Sequence, residues 1–368
     1  MNTPLKILFF SYMMLALAFG FMHHFIPDSP YTFERLHIFL FNLCSGGTIV
    51  LYYTEGLKRL SLKSAGFLVI ATVYAILVFL EIYKPAILLS IGLAIIVESI
   101  RIKRFSLFPV GFFKKSEPVY EKFHQASLLC LSMGLVISSM VILNNEYFHI
   151  IKNMPKLQLN TFFLGFSFPL SLITMSMIFS LMPESDESVV ILLKNFGFWS
   201  VNLGVIIFFL FIIFERLFPQ VIVTLVLFFT VIMIFFLFRK LGYAWQQKNF
   251  LSSGIGFLIF TAVTGILYIL FEFSPEYTQG KYTWLLKLHA FASLYGWNIC
   301  GLAIILRIDD FPLKLHSGKV VCFHWLTVII LLPLGIFYTP VSIIALASYF
   351  IVLYLILFTQ GTPVSLKE

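Results

Sequence analysis

Lys287-Leu288-His289-Ala290-Phe291-Ala292-Ser293-Leu294-Tyr295-Gly296-Trp297 opens an apolar run that continues to residue 306, and Arg35-Leu36-His37 opens another that continues to residue 54. Each run has the length of a transmembrane helix, for which roughly 20 apolar residues suffice. Each also carries one histidine just inside its start, two residues after a cation. An imidazole in hydrocarbon is costly unless it has a partner or a task. Two such sites in one chain suggest a pair. Neutral imidazoles on two helices can hold a haem iron from both faces, and a cation one step outward can meet the propionates. His37 and His289 are therefore candidate iron ligands, Arg35 and Lys287 candidate propionate partners, and haem b the expected cofactor.

The whole chain supports the membrane reading. Of its 368 residues 60% are hydrophobic and 11% charged, and 44 are Phe, a usage outside that of soluble domains. The expected fold is all-α, a polytopic membrane bundle of about 12 helices, with residues 1–368 forming a single transmembrane domain. The formal charge of +8 does not indicate nucleic-acid binding, because Lys and Arg crowd into cytoplasmic loops of membrane proteins. Cys44, Cys130, Cys300 and Cys322 all fall in apolar runs and form neither a CxxC pair nor a CxxCH haem-attachment motif. Residues 1–21 end on Met22-His23-His24-Phe25 rather than on a small-x-small cleavage site, so they are read as a retained first span.

Hydropathy places twelve spans, at 5–24, 35–54, 64–83, 85–101, 124–144, 159–182, 189–214, 219–239, 251–272, 284–306, 319–338 and 340–359. The last two are separated only by Thr339-Pro340, a tight hairpin. With the N-terminus inside, the outer side keeps Arg35, Lys84, Lys152, Lys156, Arg216, Lys281 and Lys287, and the other eighteen of the 25 basic residues lie inside. Both termini are therefore expected in the cytoplasm. His37 and His289 then enter from the outer surface at similar depth. His124 and His324 open spans five and eleven from the opposite side, where capping a helix start is their expected role. His23, His24 and His149 lie at the outer surface and His316 in an inner loop. The loop from Lys103 to Lys122 is basic and aromatic, with Phe105, Phe108, Phe112 and Phe113, and reads as an anchor beside anionic membrane lipid.

A transporter of two parallel six-helix halves should match span two with span eight. Span eight has no histidine, no Gly-Gly and no counterpart of Asn42; the Arg/Lys-Leu-His pattern returns eight spans later instead. Glu98 and Arg101 are spaced as a helical i,i+3 ion pair. Glu81 and Glu272 fall near span ends, and Tyr31, Tyr53, Tyr282 and Trp284 fit an aromatic belt.

His37, Gly46-Gly47 and Tyr52-Tyr53 in span two resemble the second helix of the haem-copper oxidase superfamily's catalytic subunit, above all its nitric oxide reductase and C-family branches. There this histidine ligates the low-spin haem. Span ten is similar to the tenth helix of that superfamily, where a His-x-His pair precedes small residues and an aromatic-Gly-aromatic turn. His289 matches the second histidine and Tyr295-Gly296-Trp297 the downstream signature, at a longer spacing. Twelve spans with both termini inside also agree. The departures concern the catalytic centre: Lys287 stands where the high-spin haem ligand belongs, spans six and seven contain no histidine, and Phe166-Ser167-Phe168-Pro169 replaces a His-Pro motif. The resemblance therefore implies a degenerate, NnrS-like relative in the bacterial cytoplasmic (inner) membrane. It would keep one low-spin haem and no copper, for electron transfer, sensing or nitrogen-oxide respiratory support, with a quinone or respiratory redox protein as partner. Oxygen or nitric oxide reduction is not expected.

Two alternatives stand beside this reading. Each histidine can be an interfacial side chain satisfied by a neighbouring carbonyl or water. The chain can also be a transporter or lipid-handling protein without a metal, in which Asn42, Asn195, Asn202 and Asn298 line a polar cavity. The orientation is testable separately: a reporter fused after Glu368 should behave as cytoplasmic, and a periplasmic signal would show that a span was miscounted.

Overall fold

A computed structural model describes residues 1–152, 156–157, 166–243, 247–274, 281–308 and 317–359. The protein is an all-α polytopic membrane bundle, with no strand among the described residues. Eleven helices are long and apolar enough to cross a bilayer: α1 (Thr3–Gly20), α2 (Phe33–Glu55), α3 (Leu62–Phe79), α4 (Tyr83–Arg104), α5 (Val119–Phe148), α7 (Ser188–Ile213), α8 (Leu217–Leu241), α9 (Lys248–Glu272), α10 (Thr283–Leu306), α11 (Gly318–Gly335) and α12 (Thr339–Phe358). The sixth expected span is described only as α6 (Phe168–Ser180) and the two residues before it; most of its expected first half lies outside the described residues.

Local chemistry sets the ends. The Asn2 side chain accepts from the Leu5 amide at 3.2 Å at the start of α1. Gly56, at φ +63°, ends α2 in the left-handed conformation. The Glu55 carboxylate then takes the hydroxyls of Ser61 and Ser64, each at 2.6 Å, and closes the turn into α3. The third span stops at Phe79, earlier than residue 83, because the chain turns at once through Glu81, an exposed residue at φ 60°. The connector of the last hairpin is Ile336 to Tyr338; Thr339-Pro340 instead begins α12, where proline's missing N–H costs nothing.

The chain divides into two compact units: Met1–Glu117 with Glu121–Ile173, and Pro118–Tyr120 with Thr174–Glu368. In the first, α2 is buried along nearly its whole length. Phe39 meets Tyr74 edge-on at 5.3 Å and Phe166 at 5.4 Å. Gly46 lies so close to Leu170 that a Cβ there would be 2.5 Å from it. The Tyr74 hydroxyl joins Ser138 at 2.7 Å, and Ser90 donates to the Leu135 carbonyl at 2.7 Å. Glu98 and Arg101 form the expected pair, at 2.6 Å.

In the second unit α10 takes the central place. Gly296 lies directly under the Phe257 ring of α9, Gly301 under Thr174 of α6, and Gly254 of α9 against Cys300. Trp325 stacks on Phe257 at 4.0 Å and donates to Ser253 at 2.8 Å. Arg307, just past α10, donates to the carbonyls of Ile356 and Thr359 at 2.9 and 2.8 Å, satisfying the open end of α12. Outward apolar residues such as Leu192, Phe229 and Phe236 are left exposed, as a face that meets hydrocarbon requires.

Close helix contact through glycine is therefore expected to be stability-limiting. Gly46→Ala and Gly296→Ala should each cost about 1–3 kcal/mol through overpacking. Gly66→Ala and Gly92→Ala, where an added methyl meets nothing within 4 Å, should be neutral or stabilising. Thermal unfolding in detergent reports the difference; four similar midpoints would refute this account of the packing.

Candidate functional site

His37 and His289 are held by the same local construction, once in each unit. His37, in the second turn of α2, is buried, and its Nδ1 lies 2.7 Å from the Ala16 carbonyl oxygen of α1. His289, in the second turn of α10, is half-buried, and its Nδ1 lies 2.9 Å from the Thr261 carbonyl oxygen of α9. A carbonyl only accepts, so Nδ1 carries the hydrogen in both rings and Nε2 carries the lone pair. That is the form of imidazole that binds a metal through Nε2, with the other nitrogen fixed by an outer partner.

The approach to these carbonyls depends on one further residue type. In a helix the Cα–Cβ bond tilts toward the N-terminus, so the side chain at i+4 covers the carbonyl at i. Four residues after Ala16 is Gly20, and four residues after Thr261 is Gly265. A Cβ at Gly20 would be 3.0 Å from Nδ1 of His37, and a Cβ at Gly265 would be 3.4 Å from Nδ1 and Cε1 of His289. Glycine gives His37 the room it needs at the Ala16 carbonyl, whereas a methyl at Gly265 would make only ordinary contact with the His289 ring. Nothing in the sequence near either histidine points to these two glycines, which lie on another span.

A π-helical segment follows each histidine, Phe39–Gly47 in α2 and Ala292–Asn298 in α10. Such segments shift the carbonyl ladder and often accompany functional sites. Side chains take up the displaced carbonyls: Ser45 donates to Leu40 at 2.9 Å, and the Cys300 thiol to Gly296 at 3.1 Å. Each segment carries a buried asparagine, Asn42 and Asn298, and the side-chain oxygen of Asn42 has no hydrogen-bond partner among the described residues. Phe39 packs on Tyr74 and Phe166, and Gly46 on Leu170, within the first unit.

The two cations differ. Arg35 is half-buried and lies near Tyr83 at the start of α4. Lys287 is half-buried and forms no ion pair among the described residues.

His124 and His324 are not helix-start caps at the surface. Both are buried, because their helices begin a turn or more earlier than hydropathy alone places them or pack there against a neighbouring element. His124 stacks on Tyr53 at 5.1 Å, and its Nε2 lies 2.8 Å from the Thr54 hydroxyl. That hydroxyl donates its hydrogen to Val50 at 2.7 Å, so Nε2 of His124 is the donor. Its Nδ1 lies 3.9 Å from Glu121. His324 donates from Nε2 to the Tyr295 carbonyl at 2.6 Å, within the π segment of α10, and its buried Nδ1 has no partner among the described residues. It is a third imidazole held by a backbone carbonyl. His23 and His24 contact each other at 4.1 Å in a surface turn, His149 is exposed, and His316 lies outside the described residues.

Comparison of the chain with protein-family models, with curated proteins and with solved structures finds no match in any of the three.

The hydrogen bonds fix four tautomers. In metal-free protein His37 and His289 should be protonated at Nδ1, and His124 and His324 at Nε2. Nitrogen chemical shifts of histidine-labelled protein, assigned by single substitutions, distinguish the two forms; the Nε2–H form at His37 or His289 would remove the ligand-ready nitrogen.

Proposed function

We propose that the chain is a haem-binding integral membrane protein, with His37 and His289 as the residues that would hold the iron of one low-spin b-type haem. The observation that carries this reading is the doubled construction: imidazole, carbonyl of the preceding helix, glycine four residues on, and a π segment downstream. An interfacial histidine without a metal also donates to a carbonyl, but that bond uses one nitrogen only. Both rings here keep the lone pair on Nε2, and two neutral imidazoles are the donor set that holds haem iron in its low-spin form. When bound, the haem supplies reversible one-electron transfer. The protein's part is to fix the ring tautomers, to exclude water around His37, and to offer cations at Arg35 and Lys287 for the propionates.

The setting proposed with it is the bacterial cytoplasmic membrane, with both termini inside and a quinone or respiratory redox protein as partner, in electron transfer, sensing or nitrogen-oxide respiratory support. The missing high-spin haem and copper histidines leave oxygen or nitric oxide reduction outside the proposal. The metal-free transporter reading gains nothing from Asn195 and Asn202, whose side-chain amides turn back to Ile191 and Phe198 of their own helix at 2.9 Å each.

Reduced-minus-oxidised spectra of purified protein test the proposal. The wild type should show a low-spin b-type signature; His37→Ala and His289→Ala should each abolish it, and His149→Ala should leave it intact. Colourless protein from haem-sufficient cells would sink the reading. Stoichiometric copper in protein purified without added metal would revive the oxygen-reducing one.

A further inference from the structure

The segment between α4 and α5, residues 105–118, is held in place by side chains that the haem reading does not use. Arg101, 2% exposed, is the main clamp. Its guanidinium takes Glu98 through Nε and Nη2, and also donates to the carbonyls of Ser106 at 2.8 Å and Leu107 at 2.9 Å. Glu98 is itself held by the Ser132 hydroxyl of α5 at 2.5 Å. Arg104 ties the same end to α2 and α5, through the Thr54 carbonyl at 3.3 Å and Glu121 at 2.8 Å. Within the segment Ser106 donates to the Phe108 carbonyl, and a short helical turn, Val110–Phe113, follows. A segment so tied would ordinarily turn its apolar side chains inward.

Here they point out. Phe108 is 71% and Phe113 75% exposed, and Leu107 and Val110 are exposed beside them. Lys103, Lys114 and Lys115 are exposed on the same segment or at its entry, whereas the charges of Arg101 and Arg104 are answered by Glu98 and Glu121. The segment joins the ends of two membrane-crossing helices, so it lies at the boundary between hydrocarbon and water. Exposed phenyl rings beside uncompensated lysines at that level match the acyl-chain edge and the phosphates of an anionic bilayer.

We propose that residues 103–115 form a rigid docking platform for anionic phospholipid, with Phe108 and Phe113 seated among the upper acyl carbons and Lys103, Lys114 and Lys115 on the headgroup phosphates. The clamp gives the platform its selectivity: the lysines are held at one level, and zwitterionic headgroups offer them no net charge to neutralise. Each lysine near an anionic surface contributes about fivefold in binding, so losing all three removes a preference of about a hundredfold.

The test uses the full chain in mixed micelles of phosphatidylglycerol and phosphatidylcholine, with retained lipid counted by native mass spectrometry. The wild type is expected to retain phosphatidylglycerol selectively. The triple variant Lys103→Ala/Lys114→Ala/Lys115→Ala should lose the selectivity without a change in unfolding midpoint, and Phe108→Ser/Phe113→Ser should lower the retention of both lipids. Equal retention of the two lipids by the wild type, or undiminished selectivity in the triple variant, would overturn the proposal. So would displacement of phosphatidylglycerol by millimolar inorganic phosphate, which would mark a free-anion site, or a stoichiometric soluble protein released by the lysine substitutions.

Discussion

Hydrogen bonding without water is the constraint on which the rest of this structure depends. An imidazole N–H in a bilayer must find an acceptor in the protein, and the nearest acceptors are helix carbonyls that already serve their own helix. A carbonyl has a second lone pair, but the side chain four residues on ordinarily covers it. Gly20 removes that cover for His37, and beside His289 the place is taken by Gly265, where a methyl would make only ordinary contact with the ring. His324 reaches its carbonyl by a different route. Its acceptor, the Tyr295 carbonyl, lies inside the π segment of α10, where the carbonyl ladder is shifted. His124 needs no carbonyl, because the Thr54 hydroxyl, pinned by Val50, accepts from it.

The same constraint explains why small residues and π segments occur together in α2 and α10. A widened turn pushes backbone outward and must be met by a neighbour that fits closely; Leu170 against Gly46 and Phe257 against Gly296 are such fits. Association of helices in lipid gains nothing from hydrophobic transfer, so van der Waals contact of this kind carries the packing. The two most buried helices are accordingly the two that bear the candidate ligands. A histidine ligand must keep one orientation, and a helix packed on every side gives it a fixed frame.

Most of the fold was legible because hydrocarbon thickness sets a single length scale: hydropathy found the eleven long helices to within a few residues. What it missed were ends decided by local chemistry, such as the positive φ at Glu81 and the last hairpin's connector, which falls at Ile336 to Tyr338 rather than at Thr339-Pro340. At the candidate site the two histidines were legible from a repeated tripeptide, whereas Gly20 and Gly265 were not, since their meaning lies in which carbonyl a distant ring approaches. The burial of His124 and His324 inside the protein was not read for a related reason. Position along a helix gives distance from a span's end, but burial depends on which neighbours stand beside it, and Tyr53, Thr54, Phe257 and Tyr295 are all remote in sequence.

The tripeptides Arg35-Leu36-His37 and Lys287-Leu288-His289 look interchangeable, and the structure separates them. Arg35 has a planar, multi-donor head suited to a fixed partner, and Tyr83 lies near it. Lys287 carries a compact charge on a flexible stem, which can follow an anion over a range of positions. Under the proposed haem reading, a propionate partner would have to accommodate a group that arrives after the protein has packed. Lys287, in no ion pair among the described residues, would be the better suited of the two to that adjustment. The likeness of the two motifs therefore describes their histidines more faithfully than their cations.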